Sequence, residues 1–183
     1  MATAWPDREV GRSFSIGGIG ELTLGAALDL LAAHGIPSLH ARRVPEARQT
    51  IDHLTITAAG VWVVHTEERR GTVTWRHARS RHGHQLVVRG RNRQDLLVQL
   101  DAQVREVARV LLEHDLAEVP VRAALCFLGG NIPVLQRQLE IDGRLITWPC
   151  AFGKRLSLEG AMDEDVRAPL LRALDGAFLD AAA

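Results

Sequence analysis

The stretch that decides the fold runs from Thr50 to Thr66 and reads TIDHLTITAAGVWVVHT. Its first half alternates. Ile51, His53, Thr55 and Thr57 fall on one side of an extended chain, and Asp52, Leu54 and Ile56 on the other, because strand side chains repeat every two residues. Gly60–Thr66 (GVWVVHT) is instead a continuous β-branched and aromatic run. That pattern predicts a central strand buried on both faces. Ala58-Ala59-Gly60 is the turn between the two strands.

Working outward, a short strand is expected over Ser38–Val44. Before it, Gly17–Gly20 opens a helical pattern carried by Leu22, Leu24, Leu28, Leu30 and Leu31 and stopped at His34-Gly35. After the central pair, Thr72–Arg76 and Gln85–Arg89 read as two more strands. Gln94–His114 is the longest helix, with Leu96, Leu97, Leu100, Val104, Val107, Val110 and Leu111 on its apolar face. Val119–Leu128 is a second buried strand. Leu139–Ile141 and Leu145–Trp148 flank Asp142-Gly143, a hairpin signal, and Asp163–Ala182 reads as a closing amphipathic helix. The order predicts a single α/β domain with a mixed central β-sheet flanked by helices, its last central strand arriving by a helical crossover. Residues 1–15 are expected to be a flexible arm, 16–128 the core, and 129–183 a hairpin and helix packed on that core.

The chain has 183 residues, 46% hydrophobic and 24% charged, a composition that excludes disorder and collagen-like structure. A chain of this length buries roughly 70% of its unfolded surface. Cys126 and Cys150 are the only cysteines, too few for a disulfide framework or a four-cysteine zinc site. No apolar run is long enough for a transmembrane helix, and the first residues lack the apolar core of a secretory signal. A cytoplasmic location without membrane contact is therefore expected.

Net charge is zero, with 22 basic and 22 acidic residues, but the charge is not evenly spread. From Arg69 to Arg93 there are eight Arg, three His and no acid, so the remainder carries a formal −8. That window reads either as an anion-binding surface or as a solvated hairpin with a biased codon supply. The set with chemical content is Glu21, Asp52, His65 and Glu67. His65 and Glu67 lie two apart near a strand end and so share a face, and acids at adjacent strand ends can hold a divalent metal.

Several segments resemble the NERD (nuclease-related domain) family of the PD-(D/E)XK nuclease superfamily, and they come in that family's order. They are GGIGE (Gly17–Glu21), LHARRVPEARQTIDHLTITAAGVWVVHT (Leu39–Thr66), Gly71, the strand–RGRNR–helix step (Leu86–Val104), and VPVRAALCF (Val119–Phe127). The resemblance implies a restriction-endonuclease-like fold and a divalent metal, Mg²⁺ or Mn²⁺. It also implies a nucleic-acid partner, DNA in preference to RNA, and bacterial relatives. Glu21 matches the family's helix Glu, Asp52 its strand Asp, and Gln103 its helix Gln. As catalytic candidates the resemblance gives Glu21, Asp52, Glu67 and Gln103. As metal ligands it gives Glu21, Asp52 and His65. Arg69, Arg70, Arg76, Arg79, Arg91 and Arg93 are the candidates for binding nucleic acid.

The departure lies at 65 and 67. Where the family has an acid-x-Lys pair, this chain has His65-Thr66-Glu67. An imidazole in place of a carboxylate disfavours Mg²⁺ and suits Mn²⁺ or Zn²⁺ better. Losing the Lys removes the cation that would polarise water and stabilise phosphate charge. The only Lys is Lys154, and an Arg cannot carry protons. Three readings remain open at this stage. The chain is a nucleic-acid-binding pseudoenzyme with a degenerate site, an inactive protein-interaction module with a protein partner, or an active Mn²⁺-dependent nuclease. His65 alone also reads as an ordinary, partly buried strand histidine, and Glu67 with Glu68 as a surface pair answering Arg69 and Arg70.

Overall fold

In the computed structural model the described residues are 24–45, 49–68, 71–77, 84–131, 139–156 and 162–181. Glu21, the Gly17–Gly20 run, the 1–15 arm, Arg69, Arg70, Arg79 and the His82-Gly83 loop lie outside them. The described elements are α1 (Leu24–Ala32), β1 (Ser38–Arg43), β2 (Thr50–Thr57), β3 (Gly60–Glu67), β4 (Gly71–His77), β5 (His84–Val88) and β6 (Arg91–Asn92). They continue with α2 (Gln94–Glu113), β7 (Val121–Phe127), β8 (Gly130–Asn131), β9 (Leu139–Ile141), β10 (Arg144–Thr147), α3 (Pro149–Leu156), α4 (Glu164–Ala177) and β11 (Leu179–Asp180).

Seven strands form a mixed sheet in the order β11-β1-β2-β3-β7-β10-β9. β3 pairs antiparallel with β2 and parallel with β7, and α2 supplies the crossover the parallel pair requires. β3 is central, as its unbroken apolar run predicts. Val61 and Val63 are fully buried on the side of α2 and α4. Trp62 and Val64 are buried on the side of α1 and α3. Each such side chain contributes roughly 1.5–3 kcal/mol, so the sheet is held from both faces and the ends of β2 and β3 are rigidly placed. β2 is buried on both faces too: Thr55 and Thr57 are as inaccessible as Leu54 and Ile56. Its polar alternation marks paired hydroxyls, such as Ser38 Oγ to Thr55 Oγ1 at 3.0 Å, and not an open face.

Three expectations are corrected. First, β4, β5 and β6 do not extend the main sheet. With β8 they form a second, four-stranded one. The β3–β7 ladder ends at Glu67↔Phe127 and resumes as β4–β8 at Gly71↔Gly130. Three residues separate the two ladders on the β3–β4 side and two on the β7–β8 side. Second, the closing helix stops at Ala177, and Leu179-Asp180 pair with Arg43-Arg42 of β1. Arg42 reaches Asp175 at 2.7 Å and Arg167 donates to the Gly35 carbonyl at 2.6 Å, which fixes α4 against β1. Third, α3 occupies Pro149–Leu156, where no helix was expected. No described helix is long and apolar enough to cross a membrane.

Candidate functional site

The site begins where β2 and β3 part. Their last paired residues are His53 and Val64. One residue further on, the Asp52 side chain takes the place of the ladder. Its Oδ2 accepts the Thr66 backbone N–H at 2.7 Å and the Thr66 hydroxyl at 2.9 Å. The same oxygen lies 3.1 Å from His65 Nδ1. That contact lacks hydrogen-bond alignment, so this buried ring nitrogen has no well-formed partner. Burial works against the Asp52 carboxylate, yet His65 and the Thr66 donors outweigh it and hold the carboxyl below the ordinary carboxylate range. Asp52 is therefore a fixed anion at neutral pH.

Glu67 continues the His65 face toward the N-terminus of α2. Its carboxylate is 11% exposed and lies 3.7 Å from Arg93 Nη2. The expected partners, Arg69 and Arg70, lie outside the described residues, so among those described the cation facing Glu67 is Arg93. Arg93 also forks onto Asp95 through Nε at 3.0 and 3.2 Å and Nη2 at 3.0 Å. The Asp95 bond, chiefly, raises the guanidinium's pKa. Asp95 sits in the first turn of α2, where the helix dipole favours an anion. Gln103 is fully buried further along α2. Its Nε2 donates to the Thr50 carbonyl at 2.8 Å, and its Oε1 has no partner. It touches the main chain that carries Asp52, not the carboxylate itself.

The structure thus brings Asp52, His65, Glu67 and Arg93 to one end of the sheet, with Gln103 bracing it. It does not gather the basic window onto one face. Arg76 pairs with Gln85, whereas Val73, Val88 and Arg91 share a register row. Arg76 and Arg91 therefore fall on opposite faces of the small sheet. Among the described residues, no group of three His, Cys, Asp or Glu side chains is arranged to hold a metal ion. Asp52 and His65 supply a mixed oxygen–nitrogen pair and no more, so these residues alone do not complete a metal site.

A model of the nuclease-related domain matches residues 16–128. The chain belongs to the nuclease-related domain (NERD) family. No curated protein and no solved structure matches it significantly. This NERD chain has a nuclease-related function in the broad sense, and its family is usually metal-dependent. Its residues 65 and 67 stand at the end of β3, His65 against Asp52 and Glu67 against Arg93.

Behind that strand end lies a pairing that the sequence pattern does not announce. His40 and His53 are paired across β1 and β2, with Nδ1 atoms 2.7 Å apart, and His40 Nε2 meets Asp29 at 2.9 Å. Burial, reinforced by His40, depresses the His53 pKa to about 4. The unfolded chain takes up this proton near pH 6.5, whereas the folded chain waits until about 4. Between those values the unfolded state binds more protons, so stability falls as pH falls. Acidification from pH 7 to 5 is expected to cost about 2 kcal/mol at this residue. Urea midpoints measured across that range should show the loss in the parent and a flatter profile in His53→Asn. Equal slopes in both would refute the assignment.

Proposed function

We propose that this NERD chain binds nucleic acid, DNA in preference to RNA, through a site whose metal-binding and proton-handling parts are degenerate. The observation that carries the reading is the Glu67–Arg93 contact beside Asp52. Where relatives deliver an ammonium from β3, this chain delivers a carboxylate, and a guanidinium from the N-terminus of α2 answers it. Arg93 supplies positive charge but does not give up a proton at any ordinary pH, so it cannot act as an acid or base. His65 replaces the anionic oxygen that Mg²⁺ prefers. What survives is suited to holding phosphate in place, with Gln103 positioning the β2 segment that carries Asp52.

The test pairs binding with cleavage. Fluorescence anisotropy with a labelled duplex should show affinity falling at least about tenfold between roughly 50 and 200 mM salt, as arginine–phosphate contacts require. Supercoiled plasmid should remain intact with Mg²⁺. Absence of duplex binding even at low salt would overturn the proposal. Mn²⁺-dependent nicking that vanishes in Asp52→Ala would instead establish a working, altered site built on Asp52, His65 and Glu67.

A further inference from the structure

The β5–β6 hairpin closes through Arg89-Gly90, whose φ angles are +52° and +75°. Two left-handed residues in a two-residue loop make a tight turn matched to strand twist. The turn sets Arg89 and Arg91 on either side of Gly90, and Arg93 follows at the start of α2. With Val88 they line a cleft of about 520 Å³. This volume falls in the range of small-ligand pockets, larger than one phosphate needs and enough for a nucleotide unit.

What distinguishes this cleft is the convergence of three arginines on one cavity, two of them free of ion pairs among the described residues. Arg42 is paired with Asp175, Arg109 with Glu106 and Glu113, Arg144 with Asp101, and Arg167 with Glu164. Arg89 and Arg91 are exposed and have no ion pair among the described residues. The described lining contains no carboxylate. Asp95 and Glu67 already answer Arg93, whereas the Arg89 and Arg91 guanidiniums repel one another across the cleft unless an anion joins them. Their planar forks match phosphate oxygens two at a time, and Val88 adds an apolar wall. Arg93 is common to the cleft and to Glu67, so an anion bound here adjoins the Asp52 end of the sheet.

We propose that this cleft is a phosphate-binding subsite that takes a phosphate-bearing unit of a nucleic-acid strand. The inference rests on the nucleic-acid reading above and names where the strand is gripped. The same chemistry would accept a free polyphosphate, and the experiment separates the two sources.

The full chain is titrated with a labelled duplex of about 20 base pairs, and separately with pyrophosphate by calorimetry. The variants are Arg89→Gln/Arg91→Gln, the charge-keeping Arg89→Lys/Arg91→Lys, and a charge-matched control, Arg105→Gln/Arg172→Gln, on exposed faces of α2 and α4. The Gln pair should weaken duplex binding at least about tenfold and lower the log–log salt slope by about 2. The Lys pair should keep the slope and lose part of the affinity, while the control stays within about twofold of the parent. The Lys pair decides the matter if the Gln pair does not fold. A cleft variant that binds as the parent does, or a control that loses as much, overturns the subsite while leaving nucleic-acid binding intact. Pyrophosphate binding that the Gln pair abolishes, in a parent that ignores duplex, keeps the anion cleft, assigns it to a free polyphosphate and removes the nucleic-acid reading. A parent that binds neither probe removes both.

Discussion

Gly60→Ala is expected to lose about 4 kcal/mol of folding stability, the largest effect of any single methyl group added to the described sheet. Gly60 opens β3 at φ +117°, and an added Cβ would sit 2.2 Å from the Pro120 carbonyl oxygen and 3.0 Å from its carbon. Both are backbone atoms, so no side chain can swing aside. The φ alone costs about 1–3 kcal/mol for a residue with a Cβ. Relief of the clash would separate β3 from the start of β7 and stretch the Val61 N–H to Pro120 O bond, now 2.9 Å, worth a further 1–3 kcal/mol or so when its groups are left buried. At this chain length the thermal midpoint should fall by about 8–16 °C. Gly176→Ala is the internal control: it lies in α4 with nothing within 4 Å of the new Cβ, and should be neutral or stabilising by up to about 1 kcal/mol. A Gly60→Ala midpoint equal to the parent's would mean that β3 and β7 do not approach each other there. The consequence reaches the site, because β3 carries His65 and Glu67 at its far end.

The central strands were legible because their signals are local. The unbroken apolar run Gly60–Val64 can only be satisfied by cover on two faces, and the Asp142-Gly143 pair adopts the left-handed angles its residues favour, +48° and +79°. β11 was not legible. Phe178 and Leu179 extend an apolar pattern that looks helical, and what makes Leu179-Asp180 a strand is pairing with Arg43-Arg42, far away in the chain. α3 was hidden for the opposite reason. Pro149 is a helix-start signal that stands on a strand end, Gly153 lowers the intrinsic helicity of an eight-residue helix, and its existence depends on burying Phe152 and Leu156 against Trp62 and its neighbours.

The same division holds at the site. Strand periodicity put His65 and Glu67 on one face, whereas the placing of Asp52 with them came from the family resemblance, and the Asp52–His65 contact is what the fold shows. Periodicity names a face but not a partner. Nothing within the segment 60–68 announces that Glu67 meets Arg93, since that contact depends on where the small sheet delivers the N-terminus of α2. The His40–His53 pair likewise exists only through the β1–β2 register. Arg89 was one arginine among many until the left-handed turn separated it from the rest.

That partner changes what reversion to the family pattern must involve. His65→Asp/Glu67→Lys restores the acid-x-Lys pair, yet it sets an ammonium against the Arg93 guanidinium, which Asp95 continues to hold. Loss of the Glu67–Arg93 attraction and the new like-charge contact together are expected to cost about 1–2 kcal/mol. The Lys would turn away from Asp52, and the double variant should show no Mg²⁺-dependent nicking. Adding Arg93→Gln removes the repulsion and keeps a hydrogen-bonding side chain beside Asp95. The triple variant should recover about 1 kcal/mol and nick plasmid with Mg²⁺ at least about 100-fold above the parent, with Asp52→Ala abolishing the gain. A second readout is independent of cleavage. The carboxylate introduced by His65→Asp would stand where the imidazole now lies 3.1 Å from Asp52, and two such carboxylates repel until a cation joins them. Millimolar Mg²⁺ should therefore raise the thermal midpoint of the triple variant and leave the parent's unchanged. If the double variant is already as active as the triple, Arg93 does not oppose a cation at 67. If the triple variant gains Mg²⁺ stabilisation and still binds DNA but never nicks, the missing chemistry lies outside positions 65, 67 and 93.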